Sequence, residues 1–161
     1  MPRPLNETKL QKLYREQGQS PWLDNLRRGY LTSGELQRWV ERGVRGITSN
    51  PTIFAKAIEG GDDYDDQFRA LVEEHRGVDD AYWELVVDDI VHALRILRPV
   101  HDDSGGVDGF VSIEVAPDLA HDTDGSIDAA RRLHTTIDRP NLLVKIPATA
   151  AGVPAIRAMI A

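Results

Sequence analysis

The stretch Asn141–Ala148, NLLVKIPA, decides how the rest of the chain is interpreted. Apolar residues closed by a proline predict a short, fully buried strand, formed by Leu142, Leu143, Val144 and Ile146. Lys145 lies in the middle of that strand. Lysine is rarely buried because the removal of an ammonium group from water is expensive. Lys145 therefore needs a structural or a chemical explanation.

A lysine in an apolar strand can be accommodated in two ways. Its ammonium group can pair with a carboxylate, or the amine can become neutral. A neutral amine on a rigid strand attacks carbonyl carbons, which is Schiff-base chemistry. An equally weighted alternative is a lysine at a strand end, whose aliphatic stem packs while its amine reaches water. Lys145 alone does not decide between these interpretations.

Length and composition indicate one soluble globular domain spanning residues 1–161, because 41% of the residues are hydrophobic and 28% are charged. The net charge of −7 argues against a nucleic acid or an anionic membrane as the main partner. The sequence has no cysteine, which excludes disulfides and thiolate metal sites. Neither a signal-peptide core nor a run near the ~20 apolar residues of a membrane span is visible. We expect a cytoplasmic protein.

Strands and helices are predicted to alternate along the chain. The expected strands are 20–24, 44–49, 109–115 and 141–146. The expected helices are 6–16 (capped by Asn6), 34–43, 51–59, 62–76, 79–97, 124–138 and one that begins at 151, with a loop at 101–106. This pattern indicates an α/β protein built from β/α units with a parallel sheet. Because no Gly-rich dinucleotide fingerprint is present, we expect a (β/α)8 TIM barrel, with about its first four units here, rather than a doubly wound sheet.

Polar residues stand at the carboxyl ends of the four predicted strands. They are Asp24, Asn50, Glu114 and Lys145. In a β/α barrel the catalytic groups converge on that rim. Two carboxylates near an amine can supply the proton transfers that Schiff-base formation and carbon–carbon cleavage require. The sequence therefore predicts one site built from these four residues.

Structural alternatives exist for most of the polar residues. Asp24 and Glu114 could pair with arginines, and Asn50, taken alone, is better explained as the N-cap of a helix that begins at Pro51. The pairs at 101–103 and 121–122 lie in predicted loops, and we expect no metal site there. Asp88 and Asp89 are expected on the polar side of helix 79–97. The three tryptophans are expected to anchor the core, and they are Trp22, Trp39 and Trp83.

Four segments resemble the transaldolase family, in the longer bacterial form. They are GITSNPTIF (46–54), LLVKIPATAAGVPAIRAM (142–159), WLDNL (22–26) and VSIEVAP (111–117). The segments cover the chain in the family's order. The first two resemble its two signatures, of which the second surrounds the Schiff-base lysine.

The resemblance implies a role for each matched residue. Lys145 would attack the ketone of a ketose phosphate, and Asp24 would act at the hydroxyl group whose deprotonation drives cleavage. Glu114 would work through a water molecule in forming and hydrolysing the Schiff base. Substrate contacts would come from the end of the second strand, at Thr48, Ser49 and Asn50.

The resemblance also implies the reaction. A dihydroxyacetone unit, held by Asn50, would pass from sedoheptulose 7-phosphate or fructose 6-phosphate to an aldose phosphate. This is a transferase step of the non-oxidative pentose phosphate pathway that needs no cofactor. Sugar phosphates are then the expected partners.

Length is where the sequence departs from the family. Typical barrels need ~250 residues, and this chain shows four strands, so we expect the N-terminal half of a truncated barrel. The alternatives are the transaldolase part of a fusion with glucose-6-phosphate isomerase, an inactive half-barrel, and a Schiff-base aldolase of another type. The ITSNP stretch argues against the last of these.

Overall fold

A computed structural model describes residues 7–161, so the predicted Asn6 cap lies outside the described residues. The four strands are β1 (Trp22–Leu23), β2 (Gly46–Ile47), β3 (Phe110–Glu114) and β4 (Leu142–Lys145). The helices are α1 (Lys9–Gln17), α2 (Arg28–Thr32), α3 (Glu35–Glu41), α4 (Pro51–Glu59), α5 (Asp65–Glu73), α6 (Val78–Asp103), α7 (Thr123–Ile137) and α8 (Gly152–Ile160). Short 3₁₀ turns precede α5 and α7, at Asp62–Tyr64 and Pro117–His121. None of the helices within 7–161 is long and apolar enough to cross a membrane.

The strands form one parallel sheet in the order β1-β2-β3-β4. Each strand pairs with the next along the chain, and helices connect them. A doubly wound sheet would reverse its strand order at a switch point, whereas a (β/α)8 barrel adds every strand on the same side. The fold is therefore α/β with the strand arrangement of a partial TIM barrel, as the sequence predicts.

Among residues 7–161, helices cover only one face of the sheet. Side chains alternate between the two faces of a strand, and Ile47, Val111 and Ile113 point into the core formed with the helices. We call the opposite side the inner face. On it Leu143 is 42% exposed, two residues before Lys145. The prediction that 142–146 is a fully buried strand is therefore wrong, because only its helix-facing side chains are covered.

The first two strands are shorter than predicted, since they pair only over two residues each. At this pairing the indole of Trp22 lies against Gly46, where an added Cβ would come within 2.3 Å of the ring. A larger residue at this position would displace the indole. Trp22 is 37% exposed on the inner face, so the prediction that it anchors the core is wrong.

Two helical features differ from the predictions. Helix α6 continues through Pro99 to Asp103, so the predicted loop at 101–106 begins too early. The buried packing of Leu97 and the edge contact between His101 and Phe110, with ring centroids 5.3 Å apart, support this last part of the helix. Helix α2 was not predicted at all. It is held by tertiary contacts rather than by a local sequence signal.

A buried polar cluster ties α2 to the longer helices. Arg28 Nε lies 2.8 Å from Asp89 Oδ1, and the Tyr64 hydroxyl donates to Asp89 Oδ2 at 2.7 Å. Asp89 is 3% exposed, so its predicted place on the polar side of α6 is wrong. Burial raises the pKa of the Asp89 carboxyl group, while the hydrogen bonds from Tyr64 and Arg28 oppose that rise. The contacts satisfy a carboxylate that would otherwise be costly to bury.

We expect Asp89→Ala to lower the free energy of unfolding by about 3–5 kcal/mol, because Arg28 and Tyr64 then lose their buried partner. Asp103→Ala is the matched control. Asp103 also lies on α6 and is exposed, so its loss is expected to change stability by no more than about 0.5 kcal/mol. Urea denaturation followed by circular dichroism measures both variants. Equal losses would contradict a specific contribution from the cluster.

Candidate active site

The predicted site residues all lie at the carboxyl edge of the parallel sheet. Asp24 directly follows β1, and Thr48 begins the turn after β2. Glu114 and Lys145 are the last residues of β3 and β4. Because neighbouring strands are parallel, their carboxyl ends meet at one edge. Two close pairs of side chains result.

Lys145 and Glu114 form the first pair. They are register partners on adjacent strands, and Lys145 Nζ lies 2.5 Å from Glu114 Oε1. The side chains are 38% and 32% exposed, so solvent reaches both. The lysine is thus accommodated by pairing with a carboxylate. An ammonium is not a nucleophile, so an attack on a carbonyl carbon from this position would first require a proton acceptor, and Glu114 is a carboxylate in contact with the amine.

Asp24 and Thr48 form the second pair. The Thr48 hydroxyl donates to Asp24 Oδ1. The Thr48 backbone N–H donates to the carbonyl oxygen of Leu23 at 2.9 Å, which keeps the two chain segments side by side. Asp24 is otherwise exposed, and its carboxylate faces the solvent above the sheet edge. An exposed carboxylate at this position can accept a proton from a bound hydroxyl group.

Asn50 and Ser49 use their side chains in local structure. Asn50 Oδ1 accepts from Ile53 N–H at 2.9 Å and caps α4, which confirms the capping interpretation. The cap uses only the oxygen, so the amide nitrogen can still donate to a substrate. Ser49 is 1% exposed, and its hydroxyl donates to the Ser112 carbonyl oxygen at 2.6 Å. A substrate contact by Ser49 stays a prediction and would require that bond to open.

A cleft of about 680 Å³ on the helix side of the rim contains neither pair. It is lined by α4, α6 and the turn after β3, including Lys56, Tyr82 and Pro117. A small pocket beside it reaches Ser49, Asn50 and Glu114. The chemical groups lie instead on the open inner face. Within residues 7–161, no group of three or more histidines and acids could hold a metal ion.

Two features of the inner face were not predicted from the sequence, the buried Ser112 hydroxyl and the bond between Thr48 and Asp24. Ser112 is 2% exposed, and its hydroxyl has no hydrogen-bond partner among residues 7–161. The alternation in VSIEV could have placed it on the same face as Glu114. Thr48 was expected to contact substrate, and its bond to Asp24 has no local sequence signal because it joins residues on different strands.

Comparison with known proteins identifies the family. The model of the family described as Transaldolase/Fructose-6-phosphate aldolase matches residues 21–161. A transaldolase of Mycobacterium marinum is 50% identical over 145 residues, which cover 89% of this chain and 39% of the relative. A transaldolase of Kocuria rhizophila is 46% identical over 155 residues, which cover 96% of this chain and 42% of the relative.

These matches cover nearly all of this chain but only part of each relative. The chain spans about two fifths of the length of the curated relatives that it matches. The matched residues include both pairs at the sheet edge, Asp24 with Thr48 and Glu114 with Lys145. The chain belongs to the Transaldolase/Fructose-6-phosphate aldolase family.

Proposed function

We propose that this chain carries the Schiff-base half of a transaldolase active site, with Lys145 as the covalent nucleophile. The single observation that carries the proposal is the Lys145–Glu114 pair at 2.5 Å, at the same sheet edge as Asp24. The relatives named as transaldolases support the reaction class. The substrates would be sugar phosphates, and the transfer activity would be that of the whole enzyme.

The first step joins the sugar to the protein. Glu114 takes a proton from the Lys145 ammonium, directly or through a water molecule, and the free amine adds to the C2 ketone. The carbinolamine then loses its oxygen as water, for which Glu114 returns a proton. One C–N double bond forms, one carbonyl bond is lost, and one water molecule leaves. The iminium product carries a positive charge next to the bond that is cleaved.

The second step breaks the sugar. Asp24 accepts the proton of the C4 hydroxyl group as the C3–C4 bond opens, and the electron pair of that bond passes to the iminium nitrogen. An aldose phosphate leaves as an aldehyde, and an enamine of dihydroxyacetone remains on Lys145. The enamine attacks the aldehyde carbon of the acceptor, which takes back the proton from Asp24. Hydrolysis of the new iminium releases the product.

A contact between Asn50 and the substrate completes the proposal. The amide nitrogen of Asn50, free of the capping bond, would donate to a hydroxyl group of the dihydroxyacetone unit. Contacts by Thr48 and Ser49 with substrate, and a cytoplasmic location, stay predictions.

The test uses two proteins. One is the 161-residue chain. The other is a chimera, in which residues 21–161 replace the matched segment of the Mycobacterium marinum relative. Each is incubated with fructose 6-phosphate and borohydride, which reduces an imine to a stable secondary amine, and the adduct is located by peptide mass spectrometry. We expect the adduct on Lys145, and we expect the chimera to turn over substrate in a coupled transaldolase assay. If the chimera folds but shows neither the adduct nor turnover, the proposal is refuted.

A further inference from the structure

We propose that Thr48 is a positioning residue that orients the Asp24 carboxylate, rather than a residue that binds substrate directly. The inference rests on the proposed function of Asp24 as the acid and base at the cleaved sugar. It is carried by the hydrogen bond from the Thr48 hydroxyl to Asp24 Oδ1.

The fold holds Thr48 where this bond can form. Trp22 pairs with Gly46 and Leu23 with Ile47, so the next residues on the two segments, Asp24 and Thr48, stand side by side. The bond from the Thr48 backbone N–H to the Leu23 carbonyl oxygen, at 2.9 Å, continues the ladder by one residue. Asp24 itself is exposed. The hydroxyl of Thr48 therefore restrains a carboxylate that packing leaves free to rotate.

A threonine is well suited to this task. Its branched Cβ restricts rotation about χ1, so the hydroxyl position is defined more sharply than in a serine. A hydroxyl group has one hydrogen to donate, and Thr48 gives it to Asp24. It therefore has no second hydrogen for a substrate oxygen. The other carboxylate oxygen, Oδ2, stays available as the proton acceptor.

Orientation matters because proton transfer requires close approach. A catalytic base must lie within hydrogen-bond reach of the proton that it takes, and a misplacement of ~1 Å can cost ~10²-fold in rate. Loss of the Thr48 hydroxyl should therefore slow cleavage and transfer. It should leave Schiff-base formation intact, because the Lys145–Glu114 pair lies on the other two strands.

The experiment uses the chimera of the Mycobacterium marinum relative and residues 21–161. Thr48→Val keeps the shape and removes the hydroxyl, Thr48→Ala removes it with a smaller side chain, and Thr48→Ser restores it. We expect Thr48→Val and Thr48→Ala to lower kcat by about 10- to 100-fold with little change in KM for the donor. Thr48→Ser should stay within about 3-fold of the parent, and the borohydride adduct should be unchanged in all three.

Thr135→Val is the matched control. Thr135 is exposed on α7, away from the sheet edge, and its substitution removes the same hydroxyl group. It should leave kcat unchanged. A fall equal to that of Thr48→Val would show that the loss of kcat does not depend on the bond to Asp24, and would overturn the inference.

A double-mutant cycle with Asp24→Ala separates positioning from a general structural effect. If Thr48 acts through Asp24, Thr48→Val should have no further effect once Asp24 is gone. Additive losses would overturn the positioning role while leaving the proposed function intact. Circular dichroism shows which variants are folded. A folded parent without adduct or turnover refutes the proposed function, and the inference falls with it.

Discussion

In the chimera, Lys145→Met should abolish the borohydride adduct with fructose 6-phosphate and lower kcat by at least about 10³-fold. Methionine is close to lysine in length and volume but has no amine, so no covalent intermediate can form. Loss of a covalent nucleophile removes the whole reaction path rather than one contribution to it, which is why the expected fall in kcat is so large.

Lys56→Met is the matched control for this experiment. Lys56 is exposed on α4, next to the cleft on the helix side of the rim and away from the Lys145–Glu114 pair. The adduct and kcat of this variant should match those of the parent. Peptide mass spectrometry of the trapped protein identifies the modified lysine. A stable adduct on Lys56, or one that survives Lys145→Met, would contradict the assignment of the nucleophile.

Asp24→Ala and Glu114→Gln should slow different steps. Asp24→Ala is expected to leave trapping largely intact and to lower turnover by about 10²–10⁴-fold, because only bond cleavage and re-formation use this carboxylate. Glu114→Gln is expected to slow trapping itself, because the glutamine amide cannot accept the proton of the Lys145 ammonium. Both rates follow from one set of samples, by quenching trapping at a series of times and measuring coupled turnover in parallel.

The assignment of Asp24 and Glu114 to different reaction steps depends on the geometry of the two pairs. Glu114 contacts Lys145 directly, and Asp24 is held by Thr48 at the other end of the sheet edge. If both variants keep the turnover of the parent, these carboxylates are structural. If Asp24→Ala blocks trapping as strongly as Glu114→Gln does, the division of steps between them is wrong.

The sequence predicted the parallel β/α arrangement and the places of Asp24, Asn50, Glu114 and Lys145 at the sheet edge. These predictions succeed because they depend on local information. Apolar runs define the strands, turn and capping residues end them, and a residue at the end of a parallel strand must lie at the common edge. The capping role of Asn50 was likewise readable from its position before Pro51.

Only the tertiary structure revealed which groups meet. The burial of Asp89 depends on Arg28 and Tyr64, which lie far away in the sequence. The same contacts hold helix α2, which begins at Arg28, against the longer helices. The exposure of Leu143 on the inner face could not be predicted from an apolar run, because a run does not state which of its two sides is covered.

The sequence by itself determined the fold class and the identity of the groups at the sheet edge. The tertiary structure decided that the Lys145 amine pairs with Glu114, and that Thr48 pairs with Asp24 rather than standing alone. The physical reason is that strand order and register bring together residues from separate β/α units. Each unit encodes its own strand end, whereas a contact between strand ends arises only when the sheet is assembled.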